Sequence, residues 1–217
     1  MLDSDVLKQD ESLRRIRNRY LMKDTLIVLV GPSGAGKTKI AEYLRDNYDF
    51  KILQSYTTRP KRSDSINDHI YITLDEKELI QDKVAINNYN GNWYFATKEQ
   101  CDMSDVYVCD VVGLKMLKEN YKQKKILAFY VETSPKNRVD RMRLRGDTEA
   151  EIEKRISTDT EEFKKAIEWC DGKVNNDFDL CIAAEQVLSK LEQYNRCKKV
   201  TIKRRFNEST WLEILDS

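Results

Sequence analysis

TLIVLVGPSGAGKT, Thr25 to Thr38, is the stretch whose reading decides the fold. Its first six residues are apolar or β-branched without a break, as in a strand buried on both faces of a parallel sheet. The run ends at glycine, and Gly31 to Thr38 fits G-x-x-x-x-G-K-[ST]. Lys37 to Tyr48 then carries Ile40, Ala41, Tyr43 and Leu44 at helical spacing. Strand, glycine-rich turn and helix in that order form a phosphate-binding loop. The glycines let the backbone wrap round a polyphosphate, and the helix N-terminus favours anions. Ser33, Gly34, Ala35, Gly36, Lys37 and Thr38 are the expected ATP contacts. Lys37 is expected to reach the β- and γ-phosphates, and the Thr38 hydroxyl to ligate Mg²⁺. The sequence lacks the N-K-x-D with which a GTPase reads guanine.

Outward from this loop, the composition narrows the function further. The chain has 217 residues, 40% hydrophobic and 35% charged, with a net charge of +1. That suits one domain with a real core, and bulk charge does not point to nucleic acid or membrane partners. No apolar run approaches membrane-spanning length, and the acidic N-terminus does not read as a signal peptide. The five cysteines include no C-x-x-C pair, and His69 is the single histidine, so a zinc site is not expected. This cysteine usage suits a reducing cytoplasm.

The rest of the chain alternates strands and helices. Residues 6–22 read as an amphipathic helix. Residues 52–100 hold short alternating pieces such as HIYITL among polar turns, as in a small, partly antiparallel insertion. Val106 to Val112 and Ile126 to Val131 read as core strands, and Phe178 to Ile182 as a last strand. Pro135 to Arg145, Glu149 to Cys170 and Ala184 to Tyr194 read as helices.

Two arginine clusters accompany the phosphate loop. Arg59 and Arg62 flank a proline in SYTTRPKR, where two guanidiniums can clamp one phosphate. Arg138, Arg141, Arg143 and Arg145 follow in SPKNRVDRMRLRG, with Arg155 beyond. Cations on a mobile lid can surround a transferring phosphoryl group while excluding water. Some of them can equally be ion-pair partners of Glu149, Glu151 and Glu153. Asp110 closes VYVCD, where a carboxylate can help hold Mg²⁺ or an acceptor.

With these motifs in order, the chain resembles the guanylate kinase family of P-loop nucleoside monophosphate kinases. GPSGAGKT, SYTTRPKR, DHIYITLDE, NGNWYF, the Asp110 strand end, R-x-x-x-R-G and VNND carry the resemblance, from about Thr25 to about Leu191. It implies an α/β fold: a three-layer P-loop NTPase core with a parallel sheet, an inserted small lobe binding the nucleoside monophosphate (NMP), and a helical lid. The implied division is an N-terminal helical extension at 1–23, a kinase-like domain at 24–200 and a tail at 201–217. Within the domain the core takes 24–52, 105–135 and 165–200, the lobe 53–104 and the lid 136–164.

The resemblance also implies roles. Lys37, Arg141, Arg145 and Arg155 surround the transferring phosphoryl, and Asn175 lies by the adenine of ATP. Arg59, Arg62 and Tyr94 hold the acceptor phosphate, with Ser55 and Asp110 beside the acceptor nucleoside. His69 stands where the family has a phosphate-binding tyrosine. Mg²⁺ and ATP are the implied cofactor and donor, small nucleotides the partners, and the cytoplasm the location. Neither monomer nor homodimer is specified. The departures gather at the base. Ala85 stands where the family has a glutamate that accepts from guanine, with Asp82, Asn87 or Asn88 as the candidates to take its place if the loop runs differently. Phe95 and Ala96 replace a glycine and a hydroxyl residue, and in a kinase for another base Phe95 is expected to enlarge the apolar wall. Three readings follow: a kinase with GMP or dGMP as leading acceptor, a kinase for another or modified base, and a non-catalytic binding module.

Overall fold

The apolar run Thr25–Val30 forms strand β1, buried along its whole length. The structure, a computed structural model, describes residues 24–61, 69–89 and 91–215, with the side chains of 161, 162 and 198–215 excepted. The expected helix at 6–22 and Arg62 lie outside the described residues. After β1 come α1 (Lys37–Tyr48), β2 (Tyr56–Thr57), β3 (Ile70–Tyr71), α2 (Leu74–Leu79), β4 (Lys83–Tyr89) and β5 (Asn92–Thr97). Then follow α3 (Lys98–Met103), β6 (Val106–Cys109), α4 (Val111–Asn120), β7 (Lys125–Glu132), α5 (Pro135–Leu144) and α6 (Glu149–Glu162). A 3₁₀ turn (Ala166–Trp169), β8 (Gly172–Asn175) and α7 (Leu180–Leu215) complete the order.

The main sheet runs β6-β1-β7-β8, and every pairing in it is parallel. Because side chains alternate across a strand, β1 feeds two layers. Ile27 and Leu29 pack with Ile40 and Leu44 of α1 and with Val187 and Leu191 of α7. Leu26, Val28 and Val30 pack with Leu114 and Leu117 of α4. The result is the expected three-layer α/β core. A second sheet, β3-β2-β5-β4, is inserted between α1 and β6, with β5 antiparallel to both β2 and β4. The β4–β5 turn places Gly91 at φ 82, a left-handed conformation open to glycine at no steric cost.

Five elements depart from the sequence reading. Val106–Val112 is a strand only to Cys109, because the Asp110 carboxylate caps the next helix through the Gly113 N–H. HIYITL gives a two-residue strand and then α2, nucleated by a capping box between Thr73 and Glu76. Glu149–Cys170 is one helix only to Glu162, followed by the 3₁₀ turn. Phe178 to Ile182 is not the last strand. Gly172–Asn175 pairs with β7 instead, and Leu180 opens α7, so β-propensity in DLCI yields to tertiary context. α7 also extends the expected Ala184–Tyr194 helix at both ends.

Candidate active site

In an open parallel sheet the carboxyl ends of the strands face the ligand crevice. All four ends here carry polar or glycine-rich segments: Gly31–Thr38 after β1, Asp110 after β6, Thr133 and Ser134 after β7, and Asn176 after β8. Gly36 caps α1 in a left-handed conformation, with no side-chain cap and no acidic residue in the first turn. The leading amides of α1 are thus left for an anion. Gly34 is also left-handed, at φ 76, and a Cβ there would meet the Arg138 carbonyl at 2.6 Å. Ala35 is held differently. Its N–H donates to the Pro32 carbonyl at 3.2 Å. Its carbonyl accepts from Asn176 Nδ2 at 2.7 Å, Thr133 Oγ1 at 3.1 Å and Arg141 Nη1 at 3.3 Å. The loop is therefore braced from the ends of β7 and β8.

Lys37 folds back on this loop, with Nζ donating to the carbonyls of Gly31 at 2.5 Å and Pro32 at 3.0 Å. Desolvation of the ammonium pushes its pKa down to about 8, against the opposing pull of the Asp159 and Asp110 carboxylates. Thr38 is exposed at the head of α1. Asp159, from α6, accepts from the Ser33 N–H at 2.7 Å and from Arg138 Nη2 at 2.7 Å, while Arg138 Nε donates to the Ser33 carbonyl at 2.8 Å. Arg141 Nη2 donates to the Asn176 carbonyl at 2.7 Å. Arg145 and Arg155 both pair with Asp147, the latter at 3.6 Å. Arg143 makes an exposed bidentate pair with Glu149 and a longer one with Asp140 at 3.7 Å.

Beside the loop, Ser55, His69, Ala85, Asn87, Tyr94 and Asp110 line one cavity, backed by Tyr107 and Cys109. Asn87 and Tyr94 face each other across β4 and β5. Asn87 Nδ2 donates to Asp110 Oδ2 at 2.6 Å, and Asp110 Oδ1 accepts from Gly113 N at 2.7 Å. Ser55 Oγ lies 2.9 Å from His69 Nδ1, and the His69 ring meets Tyr94 edge-on at 5.5 Å. Arg59 Nη2 donates to the Tyr71 hydroxyl at 3.1 Å. Burial, then the nearby Asp110 carboxylate, pushes the Cys109 thiol well above its usual range, so this cysteine stays protonated.

A family model described as an AAA domain matches residues 27–168, more than half of the chain. A guanylate kinase of Mesorhizobium japonicum is 29% identical over 198 residues, covering 85% of this chain and 89% of that protein. A guanylate kinase of Mesomycoplasma hyopneumoniae is 32% identical over 187 residues, covering 76% of this chain and 94% of its own. The chain belongs to the guanylate kinase family. A solved guanylate kinase from Anaplasma phagocytophilum, at 16% identity, covers 82% of this chain and 88% of its own with a TM-score of 0.51, a likeness of fold.

Against the guanylate kinase pattern, the expected residues fall into three groups. Ser33 to Thr38 and Arg141 meet at the phosphate loop, whereas Arg145 and Arg155 meet on Asp147 between α5 and α6. Ser55, His69, Tyr94 and Asp110 share the cavity. Asp110 lines this cavity, and both of its carboxylate oxygens accept hydrogen bonds. Asn175 closes a local turn, its Oδ1 accepting from the Asp177 N–H at 2.9 Å. Phe95 does not enlarge the wall of the cavity. It alternates away from Tyr94 and stacks on Tyr56 at 5.1 Å, fully buried. Ala96 is buried in the core next to Ala85. The sequence reading passed over Asn176, Asp159 and the Asn87–Asp110 contact. The doubled asparagine of VNND marked Asn176, but Asp159 had no signal in a helix full of acids.

Proposed function

We propose that this protein transfers the γ-phosphoryl group of ATP to a nucleoside monophosphate, with GMP or dGMP as leading acceptor, giving ADP and the diphosphate. One observation carries the reading. Val30 and Cys109 are register partners on adjacent strands, so the phosphate loop and the Asp110 side of the cavity emerge next to each other. Neighbouring strands lie about 4.8 Å apart, close enough for a donor on one loop to meet an acceptor on the next. The names of the relatives support guanine nucleotides as acceptors.

In this reading the loop amides and Lys37 hold the donor phosphates, and Arg141 lies beside them. Arg145 and Arg155 exchange Asp147 for the transferring phosphoryl as the lid closes. Arg59, with Arg62, holds the acceptor phosphate, helped by Tyr94 and His69. Asn175 stands toward the adenine. No protein nucleophile is needed, because in-line phosphoryl transfer rests on positioning and charge stabilisation. The Thr38 hydroxyl, exposed and a hard oxygen donor, fits Mg²⁺, which takes few protein ligands beside water and phosphate. Bound there, Mg²⁺ supplies neutralisation of charge on the β- and γ-oxygens. Asp110 serves the acceptor instead. A cytoplasmic setting belongs to the same proposal.

Ala85 in place of the family's glutamate favours a second reading, in which the acceptor carries another or modified base. A non-catalytic module is disfavoured by the complete phosphate loop. Coupled ADP release with Mg·ATP and each common ribo- and deoxy-NMP separates these readings. Turnover of GMP supports the first, turnover of dTMP or a modified pyrimidine with GMP inert supports the second, and no turnover supports the third.

A further inference from the structure

We infer that Asn87 reads the acceptor base, and that it reads a ring carbonyl beside a ring N–H without the 2-amino group, so that hypoxanthine nucleotides such as IMP are acceptors alongside GMP. The inference rests on the kinase reading and deepens it.

Among the residues lining the cavity, Asp110 is the one carboxylate. Its oxygens accept from the Gly113 N–H at 2.7 Å and Asn87 Nδ2 at 2.6 Å. At position 85 there is only a methyl group, 1% exposed and packed into the core with Ala96. Two adjacent acceptors, which the N1–H and 2-amino group of guanine together require, are therefore absent from β4. Asn87 remains. A carboxylate accepts only, so the Asn87 amide nitrogen faces Asp110 and the amide oxygen is left as an acceptor. Among the described residues the Asn87 side chain makes no other hydrogen bond. It thus offers one acceptor, Oδ1, and one remaining N–H, in an order fixed by Asp110. A 6-oxopurine presents the complement: N1–H to Oδ1, and O6 to the amide hydrogen. The 2-amino group of guanine gains no partner from Ala85, so its presence or absence changes little. Adenine presents its amino group and bare N1 in the reverse order, which the pinned amide opposes.

Steady-state kinetics with GMP, IMP, AMP and dTMP test this. For the native protein, kcat/KM for IMP is expected within about tenfold of that for GMP, with AMP at least about a hundredfold below both. Asn87→Ala is expected to lower kcat/KM for GMP and IMP together by about tenfold or more while leaving the KM for ATP unchanged. Ala85→Glu, two residues along the same face of β4, supplies a second acceptor and is expected to shift the ratio toward GMP. That shift separates base reading from loss of folding. GMP turnover with IMP more than about a hundredfold poorer overturns the inference, because the 2-amino group is then read. An Asn87→Ala protein with unchanged kinetics for GMP and IMP also overturns it. AMP or dTMP turnover with GMP and IMP both inert overturns the inference and leaves the kinase reading standing. Inactivity with every acceptor overturns both.

Discussion

Lys37 holds its ammonium among the carbonyls of its own loop, and desolvation brings its pKa to about 8 from an ordinary 10.5. This shift corresponds to at most about 3 kcal/mol of charge-burial cost. The unfolded chain binds this proton more tightly, so between pH 8 and 10.5 the native protein gains stability from this residue as pH rises. Below about pH 8 the cost is fully present. Lys37→Met is therefore expected to be more stable than the native protein at pH 7 by up to about 3 kcal/mol. In urea titrations the gap should narrow from pH 8 upward, and a constant gap would reject the assignment. The same substitution is expected to lower kcat by about a thousandfold, since a cation at the moving phosphoryl is lost. Arg59 is the corresponding residue on the acceptor side, fixed by the Tyr71 hydroxyl and the Thr57 side chain. Arg59→Ala is expected to raise the KM for the acceptor and lower kcat with little change in the KM for ATP. Kinetics indistinguishable from the native protein would remove it from the phosphate clamp.

Helices α5 and α6 are tied to the phosphate loop through a charge pair. Arg138 and Asp159 are nearly buried, with side-chain exposures of 12% and 3%, and both bond to Ser33. Removing one partner leaves the other charge unpaired, a change worth about 3 kcal/mol. In a protein of this size Asp159→Ala should lower the melting temperature by roughly 6–12 °C. A change under about 2 °C would show that the tie contributes little. Elements of this kind were only partly legible in the sequence. β1 and α1 could be read because apolar periodicity and glycine spacing agree there. α2 was missed because its capping box, Thr73 with Glu76, continues an alternating strand-like run. DLCI was read as a strand on β-propensity, yet the β7 edge is taken by Lys173 and Val174, which have weaker local signals. The ligand-facing ends of β7 and β8 could not be found by periodicity at all, because Thr133 and Asn176 act through single bonds to Ala35.

At the scale of the molecule, the parallel sheet sets the phosphate loop and Asp110 on neighbouring strand ends, and the second sheet lines the cavity beside them. The ordered motifs made that architecture readable, since most of them fall at a strand end or in the second sheet. The proposed base contact of Asn87 was legible only as one of three alternatives, because choosing it depends on which side chains share a face of β4. Pairing of Asn87 with Tyr94, and of Ala85 with Ala96, decides that. The central claim is phosphoryl transfer between two nucleotides, and coupled ADP release with Mg·ATP and GMP tests it most directly. The account predicts turnover that depends on GMP and is lost in Lys37→Met. Absence of turnover with GMP and with every other nucleoside monophosphate would contradict it.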